Sequence, residues 1–289
     1  MNLCDLGTIK QIMAAHGLTF RKEFGQNFLT RRTVVEDIAD NCCDDENSTI
    51  LEIGPGIGAL TQELALRFRR VIALEIDRGL IPVLHGTLAE YDNIELHNGD
   101  VMETDLAELL APAFAEGKVS VCANLPYYIT TPILMKLLES GLPFDSITVM
   151  VQAEVAARLT AAAGSGDYGA ITAVLGYYGR AERLFTVSAG NFVPPPKVNS
   201  AVVRIDLWKE RPWQPRSEEI FFRTVKAAFE QRRKTLVNAL SSGFSELGKE
   251  AITEAVTACG HRPDIRGEKL DVAQFVALSD RLYDLRAGK

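Results

Sequence analysis

The chain has 289 residues, 47% of them hydrophobic and 24% charged, and its net charge is −7. These values are ordinary for a soluble globular protein, and they exclude a disordered tail, a coiled coil and a fibrous repeat. No apolar run is long enough to span a bilayer, and the amino terminus has no basic segment followed by an apolar stretch, so we expect a cytoplasmic protein without membrane contact.

Strands and helices alternate over the first half of the chain. Two helices, at residues 6–16 and 33–43, precede the alternation. The predicted strands are short and apolar, and they occupy residues 49–53, 71–75, 93–96, 118–123 and 146–151. Helical stretches separate them, at residues 59–69, 78–90, 104–115 and 131–139. This spacing predicts a parallel sheet covered by helices on both faces.

The pattern changes after the fifth strand. The predicted elements are a helix to residue 163, a glycine-rich loop at 164–169, a helix to about 178, two strands within 185–207, and helices at 217–241, 246–258 and 271–286. A proline-rich stretch at 211–216 is typical of a linker. We therefore predict an α/β, Rossmann-like domain over residues 1–207, with a helical extension over 1–47, and a smaller all-helical domain over 208–289.

A glycine-rich loop at residues 54–58 joins the first strand to the next helix. Such a loop lets the backbone approach a bound ligand closely, and Glu75, at the end of the second strand, can accept both hydroxyls of a ribose. The loop alone fits a nicotinamide dinucleotide as well as S-adenosylmethionine. Acidic residues at Glu52 and at Asp100, after the third strand, favour S-adenosylmethionine without deciding the matter.

The sequence Asn124-Leu125-Pro126-Tyr127 follows the fourth strand. The amine of adenine is a poor nucleophile because its lone pair is delocalised into the ring. An asparagine side-chain oxygen and the Leu125 carbonyl can each accept one of its hydrogens and localise that lone pair. Pro126 fixes the backbone, and Tyr127 offers a ring for stacking. The pattern therefore predicts methyl transfer to adenine, although Asn and Pro are also common in plain turns.

Three further features bear on the substrate. Phe192 could form the other side of a base sandwich or be an ordinary buried aromatic residue. Residues 204–289 carry 16 basic and 13 acidic side chains in an otherwise acidic chain. Arg232, Arg233 and Lys234 lie in this part, so they are candidates for contact with RNA phosphates. A weaker basic cluster comprises Arg21, Lys22, Arg31 and Arg32.

Cysteine and histidine are sparse. The five cysteines include no C-x-x-C pair, and the four histidines form no cluster. We therefore expect neither a disulfide framework nor a metal site.

The chain closely resembles the ribosomal RNA adenine N6,N6-dimethyltransferase family, in its bacterial small-subunit branch. The resemblance covers nearly the whole chain. It is carried by separate motifs in the family's order, at residues 24–29, 52–56, 124–127, 192–203 and 228–235. Three positions depart from the family pattern: Ala123 replaces a common Gly, Ala153 a common Lys, and Asn199 a usual Asp.

The resemblance implies a class I S-adenosylmethionine-dependent methyltransferase. Such an enzyme would dimethylate two adjacent adenosines in a hairpin loop near the 3′ end of 16S ribosomal RNA, during small-subunit biogenesis. Its partner would be small-subunit RNA or a pre-30S particle, and it would act as a monomer. Asn27 and Leu29 would contact the cofactor from the amino-terminal segment. The other cofactor residues would be Gly54, Gly56, Glu75, Asp100 and Asn124.

Three alternatives are open on the sequence. The related antibiotic-resistance branch, which methylates large-subunit RNA, shares the cofactor motifs, although the tail with Arg232, Arg233 and Lys234 favours the small-subunit branch. A nicotinamide-dependent oxidoreductase could use the same glycine loop but gives residues 124–127 no role. A non-catalytic RNA-binding assembly factor would not need the intact acceptor motif.

Overall fold

A computed structural model describes residues 1–19 and 25–288. The strands are β1 (Phe28–Leu29), β2 (Thr49–Ile53), β3 (Arg70–Glu75), β4 (Ile94–Asn98), β5 (Val119–Asn124), β6 (Ser146–Gln152), β7 (Gly179–Val187), β8 (Phe192–Val193) and β9 (Ser200–Leu207). The first helices are α1 (Leu6–Ala15), α2 (Arg32–Asp40), α3 (Ala59–Ala65), α4 (Ile81–Thr87), α5 (Leu106–Glu116) and α6 (Thr130–Glu139). The remaining helices are α7 (Ala153–Leu159), α8 (Ala170–Tyr178), α9 (Glu218–Glu230), α10 (Leu236–Gly243), α11 (Lys249–Ala258) and α12 (Val272–Ala287).

The chain forms two compact units. The first comprises Met1–Ala156 and Glu182–Lys209, and the second comprises Ala157–Ala181 and Glu210–Lys289. The α/β class with a helical carboxyl-terminal part is confirmed. The division differs from the predicted boundary at residue 207 in one segment, 157–181, which is grouped with the helical unit.

A seven-stranded sheet runs in the order β4-β3-β2-β5-β6-β9-β7. The pairs among β2 to β6 are parallel, as predicted, whereas β9 runs antiparallel to β6. The central strands are apolar and buried along their length because helices cover both faces of the sheet. In register, Ile53 at the end of β2 lies beside Leu74 of β3 and Ala123 of β5. The loops after these three strands therefore emerge side by side.

The amino-terminal segment is attached to the same edge by a small second sheet. β1 pairs with β8 in an antiparallel register that places Leu29 opposite Phe192. Helix α1 begins at Asp5, whose side chain accepts a hydrogen bond from the Thr8 backbone N–H, and its Ile9 is fully buried. The predicted helical extension is thus present, with β1 between its two helices.

The helical unit has its own core. Tyr177 of α8 packs on Phe221 of α9 with their ring centroids 4.6 Å apart. The single helix predicted at 217–241 is wrong: it is divided into α9 and α10, because Thr235 caps α10 by accepting a hydrogen bond from the Asn238 backbone N–H. No described helix is both long and apolar enough to cross a bilayer.

Candidate active site

A cleft opens at the carboxyl ends of β2, β3 and β5, where open α/β sheets bind ligands. It holds about 810 Å³ of space, including its open mouth, which is in the range of small-molecule sites. Its lining comes from four parts of the chain: residues 25–29, the loop after β2, the end of β3 and the turn after β5. The fold therefore brings the glycine-rich loop at residues 54–58 and the turn at residues 124–127 to one place.

Gly54 and Gly56 shape the loop after β2. Their φ angles are +72° and +63°, in the left-handed region that favours glycine. A Cβ on Gly54 would meet nothing within 4 Å, so this backbone borders open space. A Cβ on Gly56 would lie 2.9 Å from Cε1 of Phe28, so this glycine lets β1 pack directly on the loop.

Glu75 closes one side of the cleft and is buried. Its Oε2 accepts a hydrogen bond from the Gly56 N–H at 3.0 Å, and its Oε1 accepts one from the Asp77 N–H at 2.8 Å. Each oxygen retains a second lone pair, so the carboxyl can still accept a ligand hydroxyl. Burial raises the pKa of Glu75 to about 7, against the effect of these backbone N–H groups.

Glu52, on β2, is a second acid on the cleft and is 1% exposed. Its Oε2 has no hydrogen-bond partner among the described residues. Burial, with a smaller contribution from the charge of Glu75, raises the pKa of Glu52 to about 8.

The turn after β5 presents two oxygen acceptors. The side-chain nitrogen of Asn124 donates to the backbone oxygen of Asn27 at 3.2 Å, which directs the amide so that Oδ1 faces away from that contact. None of the described residues donates a hydrogen bond to Asn124 Oδ1 or to the Leu125 carbonyl oxygen. The Pro126 carbonyl, by contrast, accepts from the Ile129 N–H and the Thr130 hydroxyl. The turn therefore leaves the two predicted acceptors available.

Tyr127 lines the cleft, and a hydrogen bond at its hydroxyl holds the ring in place. Its hydroxyl lies 2.6 Å from the Ser200 Oγ, so a hydrogen bond joins β5's turn to the start of β9. Burial raises the pKa of the Tyr127 phenol. The residue is therefore neutral at physiological pH and offers a fixed ring rather than a base.

The predicted cofactor residues Asn27, Leu29, Gly54, Gly56, Glu75 and Asn124 all line the cleft. Asp100 and Phe192 are not among its described lining residues. Asp100 lies in the turn after β4, where its Oδ1 accepts a hydrogen bond from the Met102 N–H. Phe192 is 4% exposed and belongs to a core cluster that includes Leu29. Its predicted contact with a base stays a prediction.

The basic residues of the helical unit differ from one another. Arg232, Arg233 and Lys234 are exposed in the connection between α9 and α10. The guanidinium of Arg232 donates to the backbone oxygens of Gly166 and Tyr168, both at 2.9 Å. Arg232 therefore stabilises the glycine-rich loop at residues 164–169, which belongs to the same unit. Arg21 and Lys22, of the weaker basic cluster, and Phe24, of the first family motif, lie outside the described residues.

Two positioning residues escaped the sequence reasoning. Gln26 donates to Asp77 Oδ2 at 3.0 Å and so ties the amino-terminal segment to the end of β3. Ser200 fixes Tyr127. Gln26 and Ser200 stand inside the family motifs, which was the available signal, but only the fold shows what they touch. In the part of the chain that is described, no group of three His, Cys, Asp or Glu side chains could hold a metal ion.

Asn199 replaces the usual acid without loss of a contact at that position. Its Oδ1 accepts a hydrogen bond from the Ala189 backbone N–H at 3.1 Å. An amide oxygen makes this bond as a carboxylate would, so the departure leaves the turn before β8 with a cap.

The chain is similar to known ribosomal RNA methyltransferases. A family model described as ribosomal RNA adenine dimethylase matches residues 17–283. The ribosomal RNA small subunit methyltransferase A of Geobacillus thermodenitrificans is 45% identical over 96% of each chain, and that of Streptococcus pneumoniae serotype 2 is 42% identical over 98% of each. Among solved structures, the 23S rRNA methyltransferase ErmE is 26% identical, with a TM-score of 0.70 over 89% of this chain and all of its own.

A dimethyladenosine transferase from Plasmodium falciparum shares the fold, with a TM-score of 0.71 at 23% identity over 87% of this chain and 95% of its own. The family match spans both units of the present structure, and the curated relatives match over almost their full length. The chain therefore belongs to the ribosomal RNA adenine dimethylase family.

Proposed function

We propose that this protein transfers methyl groups from S-adenosylmethionine to the exocyclic amine (N6) of two adjacent adenosines near the 3′ end of small-subunit ribosomal RNA. The observation that carries the proposal is the turn after β5. There the oxygens of Asn124 and Leu125 are unclaimed by any described residue, while the Asn124 nitrogen is engaged. Two fixed acceptors are what the two hydrogens of an adenine amine require.

The cleft residues fit the methyl donor. Gly54 borders open space and Glu75 has lone pairs to spare, which suits a ribose beside a close backbone. The unpartnered oxygen of Glu52 suits the positively charged sulfur of the molecule. Asn27, Leu29 and Gly56 also line the cleft, and we include Asp100, from the turn after β4, in the proposed binding site. When bound, S-adenosylmethionine supplies an electrophilic methyl group on a positively charged sulfur.

The reaction then needs little from the protein beyond orientation. The base leaves its stack and enters the cleft, where Tyr127 supports one face of the ring. Asn124 Oδ1 and the Leu125 oxygen accept the two N–H groups, so the nitrogen lone pair points out of the ring plane and toward the methyl donor. After transfer the surplus proton passes to water. Pro126 holds the Leu125 carbonyl in place.

A second methyl transfer follows from the same geometry. The monomethylated amine has one N–H left, and a single acceptor suffices to orient it. The second acceptor oxygen then has no N–H to accept, and the first methyl group lies next to it. We propose that the site dimethylates each adenosine in this way.

The relatives and the basic residues of the helical unit support the proposed substrate. Proteins 42–45% identical to this chain are named small subunit methyltransferases, and we extend that substrate to this protein. Arg233 and Lys234 are exposed cations outside the cleft-bearing unit, suited to RNA phosphates. We further propose that the protein works as a monomer in the cytoplasm, on ribosomal RNA or a pre-30S particle.

The test is methyl transfer to small subunits that lack the modification, with labelled S-adenosylmethionine. Wild-type protein should label two adjacent adenosines, and Asn124→Ala should lose about a hundredfold or more in rate. Asn238→Ala, which changes an exposed asparagine of α10, is the matched control and should keep full activity. Label on large-subunit RNA, or an active Asn124→Ala variant, would overturn the assignment.

A further inference from the structure

Glu52 is an acid in an unusual setting. It lies on the central strand β2, flanked in register by Ala73 of β3 and Cys122 of β5, and it is 1% exposed. Glu52 lines the cleft, and its buried Oε2 has no hydrogen-bond partner among the residues described. A buried carboxyl left in this state is costly if it is ionised.

Among the described residues, the groups that act on the Glu52 carboxyl are neutral or acidic. From β3 it faces Glu75, whose own carboxyl is buried, and from β5 it faces the Cys122 thiol. From α3 it faces Thr61, whose hydroxyl is close enough to favour the ionised form slightly but makes no hydrogen bond of proper geometry. No lysine, arginine or histidine of the described residues is among the groups that shift the pKa of Glu52. The buried acids therefore disfavour each other's negative charge.

The proposed methyl donor supplies the missing charge. S-adenosylmethionine carries a sulfonium, whereas the product left after transfer, S-adenosylhomocysteine, has a neutral thioether and is otherwise the same molecule. A cation entering a buried acidic cleft favours ionisation of the acid, and a neutral ligand does not. The two ligands share their α-amino group and differ in the charge on sulfur, so the difference between their effects reports the action of the sulfonium on Glu52.

We propose that Glu52 holds a proton in the free enzyme and releases it when the cationic methyl donor binds, so that the cleft prefers the donor over its neutral product. This inference rests on the proposed function. The proton passes from the Glu52 carboxyl to solvent, and the carboxylate left behind balances the sulfonium charge. After methyl transfer the sulfur is neutral, Glu52 takes up a proton again, and the product is held less tightly.

Calorimetry tests the proton directly. Titrations at pH 7 in phosphate and in Tris, which differ in ionisation enthalpy, report protons released on binding. We expect release of about one proton with S-adenosylmethionine and markedly less with S-adenosylhomocysteine. Glu52→Gln should abolish the buffer dependence and lower the preference for the donor over the product about tenfold. Glu108→Gln, an exposed acid on α5, should behave as wild type.

A second measurement needs no variant. Between pH 6 and 7.5, wild-type affinity for the donor should rise with pH relative to affinity for the product. Taking the ratio removes the amino group that both ligands share. Equal proton release with both ligands, or a Glu52→Gln variant that binds the donor and retains wild-type release, would overturn the inference. Failure of the wild type to bind either ligand would instead overturn the proposed function on which it rests.

Discussion

Asn124 and Asn27 are 97 positions apart in the chain, yet the amide nitrogen of one donates to the backbone oxygen of the other. This bond fixes which end of the Asn124 amide faces the cleft. A free asparagine could present either its donor or its acceptor to a bound base, and only the acceptor orientation suits an amine. In the proposed reaction, the amino-terminal segment would therefore act by orienting the Asn124 side chain.

Asn124→Asp separates orientation from acceptor capacity. The carboxylate keeps an acceptor oxygen but has no N–H for the Asn27 carbonyl, and it opposes that carbonyl with a negative charge. We expect the rate of methyl transfer to fall about a hundredfold, measured under single-turnover conditions. Wild-type turnover in Asn124→Asp would contradict the orienting role of Asn27.

Gly56 and Gly54 provide a matched pair. Alanine at either position must adopt a left-handed backbone, which costs roughly 1–2 kcal/mol. At Gly56 the added Cβ also meets the Phe28 ring at 2.9 Å, whereas at Gly54 it meets nothing. Chemical denaturation should therefore show Gly56→Ala to be the less stable variant. Gly54→Ala should lose cofactor affinity because its methyl group fills the proposed ligand space. A reversed stability order would contradict this account of the loop.

At the scale of elements, the connection between α9 and α10 combines two kinds of basic residue. Arg232 donates two hydrogen bonds to the backbone oxygens of residues 166 and 168. Arg233 and Lys234 are exposed and form no ion pair with another described residue. The sequence motif treats all three as equivalent. The structure predicts that replacing Arg232 has a different effect from replacing Arg233 and Lys234.

Binding of a small-subunit RNA fragment over a range of salt concentrations distinguishes them. Replacing Arg233 and Lys234 together by alanine should reduce the salt slope by about one to two phosphate contacts. Arg232→Ala should in addition raise proteolytic cleavage within residues 164–169, because the loop loses its two hydrogen bonds. Lys10→Ala, an exposed lysine of α1, is the control and should change neither quantity. An unaltered salt slope in the double variant would show that Arg233 and Lys234 do not contact RNA phosphates.

Some elements were predictable and others were not, for physical reasons. The parallel strands β2 to β6 follow from apolar runs separated by amphipathic stretches. The strands β1 and β8 have two residues each, too few to show any alternation. The break at residues 231–235 was missed because the helical pattern continues on both sides of it. The cleft could be placed because strand ends share an edge, but Glu52's missing partner and the Tyr127–Ser200 contact depend on tertiary packing.

At the scale of the whole molecule, each of the two units is built from two separate segments of the chain. Residues 182–209 rejoin the first unit after 157–181 have entered the second. A boundary drawn at the proline-rich stretch cannot show this, because composition reports linkers and not the contacts that group distant segments. The sheet order has the same origin: β9 pairs with β6 across about fifty intervening residues.

The two buried acids of the cleft contribute a dependence on pH to the stability of the free protein. Burial raises the pKa of Glu52 to about 8 and that of Glu75 to about 7, from 4.5 for an ordinary glutamate. Between pH 5 and 8 the folded state therefore binds protons that the unfolded state has released, and the free energy of unfolding falls as pH rises. Acids with lowered pKa values, such as Asp44 beside Arg204, are ionised in both states above pH 5. Their contribution to the free energy of unfolding is therefore constant over this interval.

We therefore expect the Tm of the ligand-free protein to drop by roughly 3 °C or more between pH 5.5 and pH 8, as the stabilisation from retained protons is lost. Differential scanning calorimetry across this range measures the drop. Glu52→Gln keeps the shape of the side chain but cannot ionise, so its Tm should depend less on pH and should exceed that of wild type at pH 8. Because the exposed control Glu108→Gln retains both buried acids, its profile should follow wild type. A Tm that rises over the interval, or a slope unchanged in Glu52→Gln, would show that Glu52 ionises as an ordinary surface acid does.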